Sequence, residues 1–200
     1  GQYDWMNDPA LHSQTYEWDN VCDGEHWRHS HNVEHHTHTN IIGRDRDVGY
    51  GILRLSDAQP WRPVHLGQPV INAVLAFLFQ WGVGLHDVRV DEVWEGKVSR
   101  EELRRRLRPF LRKAARQVVK DYVLFPALAL GNAPRVLVGN LAANLVRNVW
   151  SYLVIFCGHF PDGVRMFTDE ETDETRGAWY VRQIAGSCNF EGGRLMHVLS

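Results

Sequence analysis

His29-Ser30-His31-Asn32-Val33-Glu34-His35-His36-Thr37-His38-Thr39-Asn40 is the stretch on which the reading of this chain turns. Five histidines fall within ten residues, and three of them, His31, His35 and His36, form an H-x-x-x-H-H pattern. On an α-helix, residues four apart share a face, so His31 and His35 are expected to grip one ion together. His36 stands about 100° around the helix from His35 and is expected to point aside, toward a second ion or the far side of the first. Neutral imidazole is the commonest metal ligand and suits iron, zinc and copper. A tag or a surface run would be plain repetition. Here the histidines are interleaved with other residue types, which points to a built metal site.

Outward from that stretch, 200 residues suffice for a single domain with a sizeable core, expected to run over 1–200 with the histidine region at 26–50. The formal net charge is −2, so no global basic field invites nucleic acid. Positive charge is instead local: Lys97, Arg100, Arg104, Arg105, Arg106, Arg108, Arg112, Lys113, Arg116 and Lys120 crowd one segment. Cys22, Cys157 and Cys188 have no paired spacing, which argues against a disulfide framework or a CxxC zinc site and fits a reducing compartment. No Glu-x-x-His occurs, which disfavours a soluble ferritin-like di-iron bundle. No His-Glu-x-x-His occurs either, which disfavours a zinc hydrolase.

The remaining pattern is helical. Gly43 to Gly49 reads as a loop, and Pro60, Pro63 and Pro69 exclude regular helix around them. Val70 to Leu85 is an apolar run shorter than the roughly 20 residues a membrane span needs, so a half-buried or interfacial helix is expected. Glu101 to Arg116 is a basic amphipathic helix capped by Ser99, with Glu101 and Glu102 in its first turn. Such a helix suits an anionic membrane surface, or equally a solvated face. Lys120–Leu130 and Val136–Phe160, separated by Gly131-Asn132-Ala133-Pro134, are expected to pair as an antiparallel membrane hairpin over 118–160. On the longer arm Asn140, Asn144, Arg147 and Ser151 recur at helical spacing, and Asn148 nearly aligns with His159. Polar groups in a membrane helix face the protein interior, so this edge is expected to line a buried site near His159, unless the helix belongs to a soluble bundle.

These residues carry a family resemblance. His31-Asn32-Val33-Glu34-His35-His36-Thr37-His38-Thr39-Asn40-Ile41-Ile42-Gly43-Arg44-Asp45-Arg46-Asp47 resembles the second histidine box of the membrane-bound fatty acid desaturases, with the following Asn, Gly and Asp in agreement. Gln183-Ile184-Ala185-Gly186-Ser187-Cys188-Asn189-Phe190 through His197-Val198-Leu199-Ser200 resembles the lead-in to the third box. Cys157-Gly158-His159-Phe160-Pro161-Asp162-Gly163 resembles the lone histidine after the last membrane helix. In the family the first box ends just before a stretch like Gly1-Gln2-Tyr3-Asp4-Trp5, and the third follows a stretch like His197 to Ser200. Both are expected to lie outside this sequence, as in an internal stretch of a longer protein. Some members carry Asn four residues before the lone histidine, where this chain has Ile155.

The resemblance implies an all-α, membrane-embedded helical bundle with a cytosolic histidine-rich metal site. It implies iron ligation by His31, His35, His36 and, less directly, His159. It implies two iron ions, O2 as co-substrate, a fatty acyl substrate, contact with membrane lipid, and a separate ferredoxin-type or cytochrome-type electron donor. The activity implied is insertion of a double bond into the acyl chain. A related di-iron lipid hydroxylase and a non-catalytic histidine-rich metal-binding protein are the alternatives. Asp45 and Asp47 are expected either to orient imidazoles by accepting their second ring N–H or to fix the loop. His26, His29 and His38 are weaker candidates for an outer shell. His12, His65 and His86 are expected at the surface or in turns.

Overall fold

A computed structural model describes residues 22, 24–94, 96–172, 174–188 and 191–199. Gly1 to Trp5, His12, Asn189, Phe190 and Ser200 lie outside these, as does the side chain of His197. Among the described residues the chain is all-helical, and the one extended contact is an isolated parallel bridge between Ile41 and Phe167. Helix α1 (residues 24–38) carries the histidines. After the loop come α2 (Gln68–Phe77), α3 (Phe79–Val88), the short α4 (Val90–Trp94), α5 (residues 100–128), α6 (Leu130–His159), α7 (Arg176–Ala185) and α8 (Arg194–Leu199).

The apolar run from Val70 is not one helix. It breaks at Leu78, and the two halves bend by 102°. The break frees a carbonyl and an amide that need partners. Asn148 of α6 supplies both: its Nδ2 donates to Phe77 O (2.7 Å) and its Oδ1 accepts from Gln80 N (3.4 Å). Gly82 lets the elbow close, since a Cβ there would stand 2.6 Å from the buried Leu75 side chain.

Helix α5 begins where Ser99 Oγ accepts from Glu102 N (3.1 Å). It passes through a π-helical turn at Lys120–Leu124, with Phe125 N–H donating to Lys120 O, and keeps right-handed helical angles throughout that stretch. The first arm of the hairpin is therefore longer than expected, because the basic helix and the apolar arm are one rod. The arms run antiparallel. Asn140 Nδ2 donates to Asp121 O (2.5 Å), Asn144 Nδ2 to Asp121 Oδ2 (3.1 Å) and Tyr122 OH (2.8 Å), and Arg147 faces the Gln117 amide oxygen (3.0 and 3.1 Å). The polar stripe expected to lead toward a site thus spends Asn140, Asn144 and Arg147 on joining the two arms.

The outer faces of the hairpin are apolar and exposed: Val123, Phe125 and Leu128 on α5, and Val138, Leu141 and Val146 on α6. Helix α6 is long and apolar enough to cross a membrane, and only 17% of its apolar window is buried in the molecule. The core sits at its other end, where Tyr50, Leu53, Leu75, Phe79, Val83, Tyr152 and Phe156 pack together. Tyr50, Phe79, Tyr152 and Phe156 form a ladder of ring contacts 5.1–6.0 Å apart, within the range where such pairs add stability beyond area burial. At the end of this ladder Phe156 lies 5.5 Å from Phe160, the residue after His159.

Candidate metal centre

The histidine helix is wound more loosely than an α-helix. Arg28–His35 forms a π-helical stretch, and His36 N–H donates back five residues to His31 O. Such widened turns cluster at functional sites. The consequence is geometric. In an α-helix His36 would turn away from His31, but here the His31 and His36 rings are the closest pair of the box, at 4.5 Å. His31 and His35 lie 5.6 Å apart, and His35 and His36 5.3 Å. The expectation that His36 points aside is corrected by the π winding, which lets positions four and five along the chain straddle the first.

His159 arrives from the end of α6, and its ring lies 5.1 Å from that of His35. Four imidazoles from two helices thus share one small volume. Two of the four, His35 and His159, have their outer nitrogens fastened. Asp45 accepts from His35 Nδ1 at 3.0–3.1 Å, and Ile155 O accepts from His159 Nδ1 at 2.6 Å. With Nδ1 holding the proton, Nε2 of each ring keeps its lone pair. Ile155, where some family members have Asn, therefore meets His159 through its backbone.

Asp45 is itself fixed. Its carboxylate accepts from Asn40 N (2.8 Å) and Asp47 N (3.0 Å), and it is buried. Asp47 Oδ2 lies 3.7 Å from His35 Nδ1. His35, Asp45 and Asp47 together have the spacing of a cation site. Because Asp45 is engaged by two backbone amides and a ring N–H, the arrangement works as a brace behind His35. Burial disfavours the charged form of His35, but the hydrogen bond and charge of Asp45, with Asp47, overcome it and raise its pKa. Burial, with the neighbouring His35 and His159, lowers that of His36 and keeps it neutral. Burial pushes the Asp47 carboxyl up to about 7; His35 opposes this, and Asp45 and Asp87 add to it.

The other histidines sit elsewhere. His26 Nδ1 lies 3.9 Å from Asp87, and His29 Nε2 lies 3.5 Å from Glu34 on the outer side of α1. His65 is a turn histidine whose Nδ1 accepts from Arg62 N (3.0 Å). His86 departs from its expected surface place: it packs edge-on to Tyr50 at 5.2 Å and lies 3.9 Å from Asp47. A cavity of about 220 Å³ lies behind the cluster. Among its lining residues, Trp27 stacks on His31 (4.6 Å), Asp47 approaches His35, and Ile155 holds His159.

Sequence reasoning missed two supports. Glu34 of α1 pairs with Arg89, which sits in the left-handed region (φ 61°) between α3 and α4. Arg89 also donates to Glu92 (3.1 Å), which accepts from Arg106 of α5 (2.9 Å). The second support is α7, whose Trp179, Arg182 and Gln183 reach the end of α1. Its only sequence signal was the quoted stretch beginning at Gln183.

Comparison with known proteins shows the family. The family model described as fatty acid desaturase matches residues 5–200. An NADPH-dependent stearoyl-CoA 9-desaturase of Mycobacterium tuberculosis is 48% identical over all of this chain and 48% of that relative. A sn-1 linoleoyl-lipid 6-desaturase of Synechocystis is 29% identical over 82% of this chain and 47% of that protein. The chain thus spans about half the length of the curated relatives it matches. No solved structure matches it.

Proposed function

This chain belongs to the fatty acid desaturase family, and from that premise we propose that it works in an O2-dependent di-iron desaturase that introduces a double bond into a fatty acyl chain. The observation that carries the proposal is the convergence of His31, His35, His36 and His159, with the rear nitrogens of two rings fastened to oxygen. That donor set fits iron, which imidazole suits. His31, His35, His36 and His159 would hold it, together with ligands from the first and third boxes. Bound iron supplies the oxidising power, drawn from O2, that removal of hydrogen from an unactivated methylene demands and that no side-chain acid or base provides.

The chain's own residues do the positioning. Asp45 holds the proton on His35 Nδ1, and the Ile155 carbonyl holds the one on His159 Nδ1, so both rings offer Nε2 inward. Trp27 covers one face of His31, and the Tyr50–Phe156 packing closes the site from below. We take the substrate to be an acyl-CoA of the stearoyl class, after the relative 48% identical, which is named for stearoyl-CoA. The apolar outer faces of α5 and α6 would lie in the bilayer. The arginines of α5 would stand on the cytosolic side with the histidines, following the positive-inside tendency.

Electrons would come from NADPH, the reductant in that relative's name, through a separate ferredoxin-type or cytochrome-type protein. Arg100, Arg104, Arg108, Arg112 and Arg116 support this reading. They form an exposed row at every fourth position. Like charges at that spacing destabilise a helix by themselves and suit an acidic partner. The test is expression of the full-length protein in a host lacking the activity, with analysis of cellular lipids. New double bonds that vanish in His36→Ala support the assignment. Hydroxy lipids without new double bonds would move it to the hydroxylase.

A further inference from the structure

Helix α7 fastens the C-terminal end of the histidine helix. The last carbonyls of any helix lack intrahelical partners and form the negative end of its dipole. At the end of α1 these carbonyls are met by side chains from one face of α7. His36 O accepts from Gln183 Nε2 (2.9 Å). Thr37 O accepts from Trp179 Nε1 (3.2 Å) and Arg182 Nη2 (3.1 Å). Thr39 O accepts from Arg182 Nη1 (3.1 Å). Thr39 Oγ1 lies between His35 O (2.9 Å) and Gln183 Oε1 (2.8 Å). Trp179, Arg182 and Gln183 stand three and four apart, so one helical face carries all three.

This face is built to stay in place. Arg182 is 5% exposed, and its Nε and Nη2 are also held by Glu174 (3.0 and 2.8 Å). Just past α7, Gly186 O accepts from Asn40 Nδ2 (2.8 Å). The contact therefore runs from His36 to Asn40 on one side and from Trp179 to Gly186 on the other. A π-helical turn is rare and specialised, so α1 gains most from being held from outside. The held carbonyl is that of His36 itself.

We propose that Gln183 and Arg182 are positioning residues: through the carbonyls of His36, Thr37 and Thr39 they set where the His35 and His36 rings stand. The inference rests on the di-iron reading of the cluster. Positioning of this kind is distinct from general stability, because it acts on ligands directly, and loss of supports behind metal ligands costs about tenfold or more in metal affinity.

The test uses the full-length protein isolated with iron. Gln183→Met is near in size and removes both bonds. Gln183→Glu keeps an acceptor for Thr39 Oγ1 but cannot donate to His36 O, and it adds negative charge at a helix C-terminus. Thr175→Ala removes the N-cap of α7, where Thr175 Oγ1 accepts from Ala178 N (3.3 Å), and leaves the hydrogen bonds between α7 and α1 in place. Iron release to a chelator, the Mössbauer quadrupole splitting and Tm are measured for each. Both Gln183 variants should release iron about tenfold faster with an altered quadrupole splitting, while Thr175→Ala lowers Tm with release and spectrum at wild-type values. Wild-type release in the Gln183 variants, or equal acceleration in Thr175→Ala, overturns the positioning role alone. A wild-type protein that holds no iron overturns the di-iron reading and this inference with it.

Discussion

Helices α1 and α6 both carry polar side chains inward, and they satisfy them in opposite ways. On α6 four polar side chains find partners on neighbouring helices: Asn140 and Asn144 meet Asp121 and Arg147 meets Gln117 across the hairpin, and Asn148 meets the broken backbone at Phe77 and Gln80. On α1 the histidines converge on one another, and their hydrogen bonds are made from behind, by Asp45 to the ring of His35 and by Gln183 to the backbone of His36. Mutual satisfaction marks a joint. Rear fastening with lone pairs turned inward marks a site. His159 belongs to both worlds: it ends the jointed helix, yet its Nδ1 is fastened to Ile155 O and its ring faces the cluster.

The contrast is broken most severely at the site. His35→Ala should abolish double-bond formation and iron retention while membrane insertion survives, which lipid analysis and fractionation would read together. Should a jointing residue such as Asn144 prove equally essential for iron, the distinction between the two helices fails.

Next in size is the elbow. Asn148→Leu strands Phe77 O and Gln80 N, at about 1–3 kcal/mol for each buried group left unpaired. The measurement is chemical or thermal unfolding in detergent. A loss no larger than that of an exposed substitution would show that water or a rearranged backbone fills the role of Asn148.

A third test concerns pH. The Asp47 carboxyl has its folded pKa raised from the ordinary 3.8 to about 7, chiefly by burial. Its favourable contribution is therefore present below about pH 4 and is lost as pH rises through about 7. Metal-free protein should lose stability across that window, by an amount on the order of a few kcal/mol, read as a falling Tm. Asp47→Asn should flatten the fall. An unchanged pH profile in the variant would place the titration elsewhere.

Smaller still is the hairpin joint. Asn144→Leu removes the amide from Asp121 and Tyr122 and should cost about 1 kcal/mol with iron content unaltered, checked by unfolding and metal analysis. His65→Ala, at a partly exposed turn outside both regions, should change neither activity nor iron.

Much of this was legible in the sequence, for identifiable reasons. Spacing placed His31, His35 and His36 on one helix, and Ser99 marked the start of α5. The hairpin followed from an apolar pair around Gly131-Asn132-Ala133-Pro134. The π winding of α1 was not legible, because on the commoner α-helix a histidine five residues past His31 reads as turned away from it. The bend at Leu78 was hidden in an unbroken apolar run, since its cause is Asn148, distant in sequence. The same separation hid the contact between α1 and α7, and it hid Arg89, whose left-handed backbone and pairing with Glu34 have no local signature.

The central claim is that the four converging histidines hold iron for acyl desaturation. Its most direct test is Mössbauer spectroscopy with iron quantitation on the full-length protein, wild type against His159→Ala. The account predicts two irons per wild-type chain and a disturbed, depleted centre in the variant, although residue 159 lies far in sequence from the box. Wild-type iron content and an unchanged spectrum in His159→Ala would contradict it.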